Sequence, residues 1–351
     1  MSDKIALSTW PTPLEPLPRL AAAIGLGADD LWIKRDDLIG LGGGGNKVRK
    51  LEWTVGAALA EGADTLVTTG AAQSNHARLT AAAAARLGLD VVLVFPGTPD
   101  AAAGGSGNLV LDGLFGARIL WAGDGAPSDL AGAAEDVCRE LAREGARPYL
   151  IPFGGSSPLG ARGYVEGGEE LRTQLPDVDH VVVALGSGGT MAGLIGALGV
   201  ERVLGVHCGA VAEPAATVAD LAGAVMGRAV APRTLRVRTD QVGAAYGVLH
   251  EPVLEAMRTA AATEGIVLDP VYTGRAMAGL IAAVRDGDIR TGQRTVFLHT
   301  GGLPGLFGHP EAVHRSVAAL QVLCRDRDAG GERAAVGAGF GAGGAVAEWG
   351  Q

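Results

Sequence analysis

Short runs of aliphatic and β-branched residues alternate along this chain with longer stretches in which apolar residues recur every three or four positions. The short runs predict β-strands in "DTLVTTG", "DVVLVFPG", "ARPYLIPFGG", "DHVVVALGSGG", "VERVLGVHCG" and "QRTVFLHTGG". The helical spacing occurs in "NHARLTAAAAARLGL", "SDLAGAAEDVCRELAREG" and "TMAGLIGALG". Alternating strands and helices are typical of a parallel sheet with helices on both faces, so the pattern predicts an α/β fold.

Most of the predicted strands run directly into glycine. Ligands of open α/β sheets collect at the carboxyl ends of the strands, where glycine lets the main chain turn sharply and come close to a bound group. We therefore expect the functional site at these glycine-rich strand ends.

The segment 181–200, "VVVALGSGGTMAGLIGALGV", is uncharged and long enough to span a membrane. Six of its residues are glycine, and no cluster of Lys or Arg flanks it. We therefore prefer a buried strand, a glycine turn and a buried helix over a membrane span.

The composition favours a globular protein that acts on small molecules. With 351 residues, 48% of them hydrophobic, the chain can form two domains of ordinary size. It carries 29 Lys and Arg against 38 Asp and Glu, a net charge of −9, and has no long basic run. Because binding to nucleic acid or an anionic membrane needs a basic surface, we expect neither as a partner.

Cysteine usage and the N-terminal sequence indicate a cytoplasmic location. Cys138, Cys208 and Cys324 are far apart and show no CxxC spacing, which predicts neither a disulfide framework nor a metal site. The opening "MSDKIALSTWPTPLEPLPRL" lacks the apolar core of a secretion signal. Residues 325–351 mix charge with glycine and alanine, and we expect a mobile tail.

Lys47 follows a run of glycines in "GLGGGGNKVRKLE". Most lysines are solvated surface residues, but a surface loop has no need to avoid side chains so completely. A phosphate-binding P-loop is excluded, because Asn46 precedes the lysine and Val48 follows it. The alternative is a Schiff-base nucleophile, which indicates pyridoxal 5'-phosphate (PLP). That cofactor also needs a phosphate site and partners for its ring nitrogen and phenolic oxygen.

The stretch "ALGSGGTMAGL" provides a candidate phosphate site. A strand, a glycine turn and a helix N-terminus would present the main-chain N–H groups of Ser187, Gly188, Gly189 and Thr190. The dinucleotide fingerprint GxGxxG is incomplete, because Met191 stands where its last glycine belongs. An ordinary tight turn remains the alternative.

The stretch "TTGAAQSNHARLTAA" places Ser74, Asn75 and His76 between a strand and a helix. At such a position Ser or Asn often caps the helix. The functional alternative is that Asn75 bonds the phenolic oxygen of the cofactor and Ser74 faces the substrate.

Seven collinear blocks between about residues 10 and 310 resemble the D-cysteine desulfhydrase and 1-aminocyclopropane-1-carboxylate (ACC) deaminase family of PLP enzymes. They are "PTPLEPLPRL", "WIKRDDLIGLGGGGNKVRKLE", "TTGAAQSNHARLTAA", "GNLVLDGLFGA", "IPFGGSSPLGARGYV", "DPVYTGRAMAGL" and "FLHTGGLPGLFG". The resemblance implies that Lys47 binds the cofactor covalently, Asn75 contacts its phenolic oxygen and residues 187–190 hold its phosphate. It also implies that Ser74, Asn75 and His76 contact the substrate.

The same resemblance implies a tryptophan-synthase-β-like fold (PLP fold type II), with the cofactor between two parallel-sheet α/β domains. The larger, PLP-binding domain would comprise residues 1–49 and 161–324, and the smaller domain residues 50–160. A homodimer is the usual assembly of this family.

Tyr246 and Tyr272 are carried over as residues on the substrate side of the cofactor, although packing in a core is the ordinary role of a buried tyrosine. Thr273 and Thr300 would lie near the ring nitrogen, where a threonine pair resembles the desulfhydrase branch. One departure from the family pattern is Arg275, which replaces an expected lysine at the rim of the site.

These residues predict a carbon–sulfur lyase that converts a small amino acid by β-elimination, with D-cysteine giving pyruvate, ammonia and hydrogen sulfide. Within the enzyme class, ACC deaminase and L-cysteate sulfo-lyase are alternatives. A PLP carrier or amino-acid sensor without turnover is the alternative from another class, although Ser74, Tyr246 and Tyr272 beside Lys47 argue against it.

Overall fold

The computed structural model describes residues 4–99, 105–124 and 127–320. The tail at 325–351, predicted to be mobile, lies outside the described residues. The helices in the described part are α1 (Pro18–Ile24), α2 (Lys47–Ala60), α3 (Asn75–Leu87), α4 (Asn108–Leu114), α5 (Pro127–Arg143), α6 (Pro158–Gln174), α7 (Gly189–Leu198), α8 (Pro214–Met226), α9 (Glu251–Glu264), α10 (Thr273–Arg285), α11 (Leu303–Phe307) and α12 (Pro310–Val317).

The strands form two sheets, and the described strands are β1 (Leu14–Pro16), β2 (Leu31–Arg35), β3 (Thr65–Thr69), β4 (Asp90–Phe95), β5 (Arg118–Trp121), β6 (Pro148–Ile151), β7 (His180–Leu185), β8 (Val203–His207), β9 (Arg236–Arg238) and β10 (Thr295–His299). The six-stranded sheet has the order β1-β2-β10-β7-β8-β9, and the four-stranded sheet has the order β5-β4-β3-β6. Only β1 pairs antiparallel among these strands.

All six strands expected from the hydrophobic pattern are present, as β3, β4, β6, β7, β8 and β10. The three expected helices are α3, α5 and α7. The pattern missed β1, β2, β5 and β9, which are short or, as "LWIKR" in β2, carry charged residues. The expected α/β architecture is confirmed.

The uncharged segment 181–200 folds as the preferred interpretation has it, with β7, a glycine turn and α7 in succession. Within residues 4–99, 105–124 and 127–320, no helix has both the length and the apolar character to cross a membrane.

Apolar cores cover both faces of each sheet, because successive side chains of a strand point to opposite faces. In β7, Val182 packs in the core that contains residues of α9 and α10, whereas Val181 and Val183 pack in the core with α6 and α7. In β4, Leu93 and Val94 belong to two different cores in the same way. Continuous apolar strands therefore follow from burial on both sides.

The predicted domain boundaries fall inside helices, since residue 50 lies in α2 and residue 160 lies in α6. The four-stranded sheet lies wholly within residues 50–160, and the strands of the larger sheet lie outside that range. The division into domains at these two positions stays a prediction.

Candidate active site

A pocket lies where the carboxyl ends of β3 and β6 in one sheet face those of β7 and β10 in the other. The turns after these strands and the first residues of α2 and α3 line it. The lining residues are Asn46, Lys47, Ser74, Asn75, His76, Phe153, Gly154, Ala184, Gly186, Ser187, Gly188, Thr190, Met191, Tyr272 and Thr300. Four sequence motifs predicted separately therefore meet in one place, as expected for strand ends.

The glycine run before Lys47 adopts backbone conformations that other residues avoid. Gly42 to Gly45 all have positive φ, from 54° to 129°. A Cβ on Gly44 would lie 2.2 Å from the carbonyl oxygen of Asp37, and one on Gly45 would lie 3.2 Å from that of Thr300. The close approaches that demand glycine are thus to the protein's own main chain, and they bring the loop to the start of α2.

Lys47 is the first residue of α2, and its amine opens into the pocket. Its Nζ donates to Asn46 Oδ1 at 2.8 Å, and Asn46 Nδ2 donates to Thr190 Oγ1 at 3.0 Å. Burial, together with the positive charge of Arg78, lowers the pKa of Lys47 to about 8. A pKa of about 8 leaves about a tenth of this amine unprotonated at pH 7, far more than for an ordinary lysine, and the unprotonated form is the nucleophile.

Arg78, which the sequence analysis missed, holds the glycine loop and Asn75 together. Its fully buried guanidinium donates from Nη1 to the carbonyl oxygens of Gly42 at 2.5 Å and Gly44 at 2.8 Å. Nη2 donates to Asn75 Oδ1 at 3.2 Å, and Nε donates to Asn108 Oδ1 at 3.1 Å. The available signal was its spacing, since Arg78 lies one helical turn after Asn75.

Asn75 keeps an amide donor that has no hydrogen-bond partner among the described residues. Its Oδ1 accepts hydrogen bonds from Arg78 and, at 3.1 Å, from Asn108 Nδ2. The oxygen is thus occupied on the side away from the pocket, which Asn75 lines. Its NH₂ group is the part available to a ligand.

Ser74 both caps a helix and lines the pocket. It is the N-cap of α3, and its Oγ accepts a hydrogen bond from the N–H of Ala77 at 3.1 Å. The capping and functional interpretations are compatible, because the hydroxyl accepts from the helix and keeps its own proton to donate.

His76 offers the pocket an acceptor. Thr68 Oγ1 donates to the carbonyl oxygen of Ile151 at 2.8 Å, so it accepts from His76 Nε2–H at 3.0 Å. The other ring nitrogen, Nδ1, is then unprotonated, and it is buried without a partner among the described residues. Burial and the nearby charges of Lys47 and Lys50 hold the pKa of His76 well below its usual value.

The turn after β7 forms a cradle for an anion, with two contributors that the sequence analysis missed. Lys50 is fully buried, and its Nζ donates to the carbonyl oxygen of Gly154 and to Ser156 Oγ, both at 3.1 Å. Ser156 Oγ lies 2.7 Å from Ser187 Oγ and accepts from the N–H of Gly189 at 3.1 Å. The position of Lys50, three residues after Lys47 on one helix, was the available signal.

This cradle lacks a carboxylate within the described part of the chain, where neither Lys47 nor Lys50 forms an ion pair. Burial, with the charge of Lys47, lowers the pKa of Lys50 well below its usual value. A bound anion would raise the pKa of this lysine and stabilise its charged form, which fits a phosphate group. Gly188 lines the pocket, whereas Gly189 does not and uses its N–H on Ser156.

The two tyrosines meet through their hydroxyl groups. Tyr272 Oη and Tyr246 Oη lie 2.6 Å apart, and the two rings pack edge to face with centroids 6.3 Å apart. Tyr272 lines the pocket, whereas Tyr246, whose exposed fraction is 39%, does not line it and contacts Tyr272 instead. Burial and the neighbouring Tyr246 raise the pKa of Tyr272 well above its usual value, so its hydroxyl is protonated at neutral pH.

The structure brings Thr300 into the pocket but not Thr273. Thr273 is fully buried, donates its hydroxyl proton to Asp269 Oδ1 at 2.7 Å and accepts from the N–H of Asp269 at 2.8 Å. Asp269 also binds the N–H groups at the start of α10, so capping this helix uses the Thr273 side chain. Of the threonine pair expected near the ring nitrogen, Thr300 lines the pocket and Thr273 does not.

The fold and the pocket define an α/β enzyme of the pyridoxal-phosphate class. A lysine amine with a lowered pKa, an anion cradle at a helix N-terminus, an amide donor and a hydroxyl group converge between two mostly parallel sheets. These are the partners that the aldehyde, phosphate, phenolic oxygen and ring nitrogen of PLP require.

Comparisons with known proteins agree. The family described as pyridoxal-phosphate dependent enzyme matches residues 5–301. A "Putative 1-aminocyclopropane-1-carboxylate deaminase" of Pyrococcus abyssi is 40% identical over 321 residues, which cover 88% of this chain and 94% of that protein. A D-cysteine desulfhydrase of Salmonella schwarzengrund is 43% identical over 323 residues, covering 88% and 96%. The chain belongs to the family of pyridoxal-phosphate-dependent enzymes.

Solved structures give the fold type. A crystal structure of an ACC deaminase homologue matches with a TM-score of 0.80 and 38% identity, covering 89% of this chain and 96% of that one. Threonine deaminase isoform 2 from Solanum lycopersicum matches with a TM-score of 0.58 at 17% identity, covering 87% and 83%, and supports the fold alone. The expected PLP fold type II is confirmed.

Proposed function

We propose that this enzyme catalyses β-elimination on a small amino acid, with D-cysteine as substrate and pyruvate, ammonia and hydrogen sulfide as products. The observation that carries the proposal is that Lys47, whose amine has a pKa of about 8, lines one pocket together with Ser187, Gly188 and Thr190 at the junction of β7 and α7, which Lys50 supports through Ser156. The choice of D-cysteine is supported by Thr300 in that pocket and by the Salmonella relative of that name.

The residues of the pocket fit the cofactor. Lys47 would bind its aldehyde carbon, and Ser187, Gly188 and Thr190 would bind its phosphate, with Lys50 behind them. Bound there, PLP supplies an electron sink for negative charge on the substrate carbon next to the amino group.

Asn75 and Thr300 would orient the ring. Because Asn75 Oδ1 accepts from Arg78 and Asn108, its NH₂ group would donate to the phenolic oxygen. The hydroxyl of Thr300 can donate to a ring nitrogen that carries no proton, whereas a carboxylate would favour a protonated nitrogen. A neutral ring is the weaker sink, which suits a leaving group as good as a thiolate.

Proton transfers follow from the side chains around the substrate. Lys47 Nζ would take the proton from the substrate α-carbon, and its lowered pKa favours the base form. Ser74 keeps its hydroxyl proton for the substrate carboxylate. Tyr272, protonated at neutral pH, can donate a hydrogen bond to the departing thiolate, and Tyr246 Oη, 2.6 Å from Tyr272 Oη, can donate to Tyr272 in turn.

ACC deaminase is the second candidate, favoured by the names of the Pyrococcus relative and of the homologue with the solved structure. Both reactions need Lys47, the phosphate cradle and a base at the α-carbon. They differ in the bond that breaks, a carbon–sulfur bond in one and a ring carbon–carbon bond in the other.

The test is a substrate panel with purified holoenzyme and with Lys47→Ala as the control. D-cysteine is expected to release equal amounts of pyruvate and sulfide, and L-cysteate and ACC to react more slowly. Faster formation of 2-oxobutanoate from ACC would replace the proposed substrate. Turnover that persists in Lys47→Ala would contradict the role of this lysine.

We also propose a cytoplasmic homodimer. Cys138 and Cys208 are free thiols, which fits a reducing compartment. Light scattering of the purified enzyme is expected to give twice the chain mass, and a monomer would contradict the proposed assembly.

A further inference from the structure

The segment that carries Tyr246 has no regular secondary structure and is held by side chains. It comprises residues 241–250, between β9 and α9. Arg275 donates to two of its carbonyl oxygens, on Ala245 and Val248, and His309 Nε2 lies 2.7 Å from a third, on Gly247. With few main-chain bonds of its own, the segment owes its conformation to these contacts.

Arg275 joins this segment to the end of a strand in the larger sheet. Its side chain is fully buried on α10. Nη1 donates to the carbonyl oxygen of Cys208, directly after β8, at 2.6 Å. Nη2 donates to the carbonyl oxygens of Ala245 at 3.0 Å and Val248 at 2.8 Å. One planar guanidinium therefore fixes three main-chain positions in two parts of the chain.

This arrangement is costly, because a buried cation normally has an anionic partner. Arg275 forms no ion pair with a described residue, its Nε lacks a hydrogen-bond partner among them, and burial lowers its pKa. An apolar side chain could fill this space at lower cost, so what the guanidinium adds is the fixed geometry of its hydrogen bonds.

The imposed geometry concerns the tyrosine pair. Ala245 directly precedes Tyr246, and Val248 follows it by two residues. Tyr246 is 39% exposed, so burial does not hold its ring in place. Tyr272 lies three residues before Arg275, at the start of the same helix. Arg275 thus fixes the segment that carries Tyr246 relative to α10, the helix that Tyr272 precedes. The hydroxyls of the two tyrosines lie 2.6 Å apart.

We propose that Arg275 is a positioning residue for Tyr246, and that it sets the distance between the Tyr246 hydroxyl and the hydroxyl of Tyr272, which lines the pocket. The proposal rests on the proposed function, in which these hydroxyls serve the leaving group. A lysine, with its single point charge, cannot reach the carbonyl groups of Cys208, Ala245 and Val248 in one plane.

The first test needs no cofactor. Hydrogen exchange is measured on the apoprotein for wild type, Arg275→Met, Arg275→Lys and Arg233→Met, the last removing an exposed arginine as a charge control. Amides of residues 241–250 are expected to exchange at least about tenfold faster in both Arg275 variants, with β7 and β8 unchanged. Unchanged exchange in residues 241–250 would overturn the proposal.

The second test is a double-mutant cycle with Tyr246→Phe in the holoenzyme. Arg275→Met is expected to lower kcat about tenfold or more when Tyr246 is present and less than about twofold in Tyr246→Phe, with PLP absorbance retained. Equal losses in both backgrounds would make Arg275 merely structural and overturn the proposal. Arg275→Lys provides the same cycle if the Met variant fails to fold.

The outcomes also separate this proposal from the proposed function. If wild type binds no PLP or releases no product from any substrate of the panel, the function is wrong, and the exchange experiment still decides whether Arg275 holds the segment. If wild type is active and the exchange is unchanged, only the role of Arg275 is wrong.

Discussion

Lys47 and Lys50 lie one helical turn apart on α2, and burial lowers the pKa of both, but their surroundings differ. Lys47 contacts an amide oxygen and opens into the pocket, where an aldehyde can reach it. Lys50 donates to the carbonyl oxygen of Gly154 and to the hydroxyl of Ser156, and a bound anion nearby would stabilise its charged form. In the proposed function, two residues of the same type would thus serve a covalent and an electrostatic role.

The pKa of Lys47 predicts a pH dependence for cofactor attachment. The free amine is the reactive form, and burial with the Arg78 charge depresses the pKa from 10.5 to about 8, so the reactive fraction rises as pH increases through about 8. Apoprotein mixed with PLP is expected to form the bound absorption band at a rate whose midpoint lies near that pH. A midpoint above 10 would show an ordinary solvated lysine.

Two tyrosine-to-phenylalanine substitutions form a matched pair. Tyr272→Phe removes the pocket hydroxyl and is expected to lower kcat by about tenfold or more with little change in stability. Tyr164→Phe removes a hydroxyl that donates to the buried Asp36 at 2.5 Å, outside the pocket lining. It is expected to cost about 1–3 kcal/mol of unfolding free energy with kcat retained. Enzyme assays and denaturant unfolding check both, and the reversed pattern would place Tyr272 in a structural role.

At the scale of elements, α2 is fixed by a buried charge cluster close to Lys47. Arg49 Nε donates to Asp36 Oδ2 at 2.9 Å, and Arg49 Nη1 donates to Glu170 Oε2 at 2.9 Å. Lys34, from β2, bonds to the same Glu170 of α6. The cluster ties a strand and two helices together, and it also explains why β2 carries charged residues that concealed it from the hydrophobic pattern.

Gly188, the last residue of the turn after β7, and Gly189, the first residue of α7, serve different purposes. A Cβ on Gly188, at φ 89°, would lie 3.3 Å from Thr217 on α8, so this glycine serves the turn and the packing outside the pocket. A Cβ on Gly189 would lie 2.6 Å from Ser156 Oγ and 3.0 Å from Lys50 Nζ. The absence of a side chain at Gly189 therefore leaves the space that Ser156 and Lys50 of the anion cradle occupy.

A substitution at Gly189 is expected to disturb that cradle. In Gly189→Ala the methyl group displaces Ser156 and Lys50, and loss of one charge-assisted hydrogen bond, about 1.5–3 kcal/mol, weakens PLP binding roughly tenfold to hundredfold. The matched control is Gly132→Ala in α5, where a Cβ meets nothing within 4 Å. Titration of apoprotein with PLP, followed by absorbance, measures the affinity. Equal affinities in wild type and Gly189→Ala would exclude the cradle as the phosphate site.

At the scale of the whole molecule, the pocket is lined from both sheets, so a ligand there links the carboxyl ends of β3 and β6 to those of β7 and β10. A ligand that binds between the two sheets adds its binding free energy to the stability of the folded protein, because the unfolded chain offers no such site.

Removal of PLP is therefore expected to lower the melting temperature. At a free concentration of one hundred times Kd, the cofactor contributes about 2.7 kcal/mol to the unfolding free energy, which corresponds to a shift of several degrees. Thermal unfolding of apo and reconstituted enzyme measures the shift, with inorganic phosphate as a control ligand. Equal melting temperatures would show that the pocket does not bind the cofactor in the folded enzyme.

The sequence by itself determined the features that depend on near neighbours in the chain. Continuous apolar runs determined β3, β4, β7 and β10, because a strand that is buried on both faces needs apolar residues at successive positions. The glycine turn before α7 and the contiguous Ser74, Asn75 and His76 also needed only local pattern. These signals sufficed to predict the α/β fold, to single out Lys47 as the candidate nucleophile, and to place the pocket at the carboxyl ends of the strands.

Only the tertiary structure decided which distant side chains meet. Ser156 reaches Gly189, and Tyr246 reaches Tyr272, across segments whose separation no periodicity encodes. Thr273 was expected in the pocket, but Asp269 takes its hydroxyl. A hydrogen bond forms only when its donor and acceptor atoms lie about 3 Å apart, and the topology of the two sheets determines which atoms come that close. For this reason Arg78, Lys50 and Arg275, which organise the site, became recognisable only when the chain was folded.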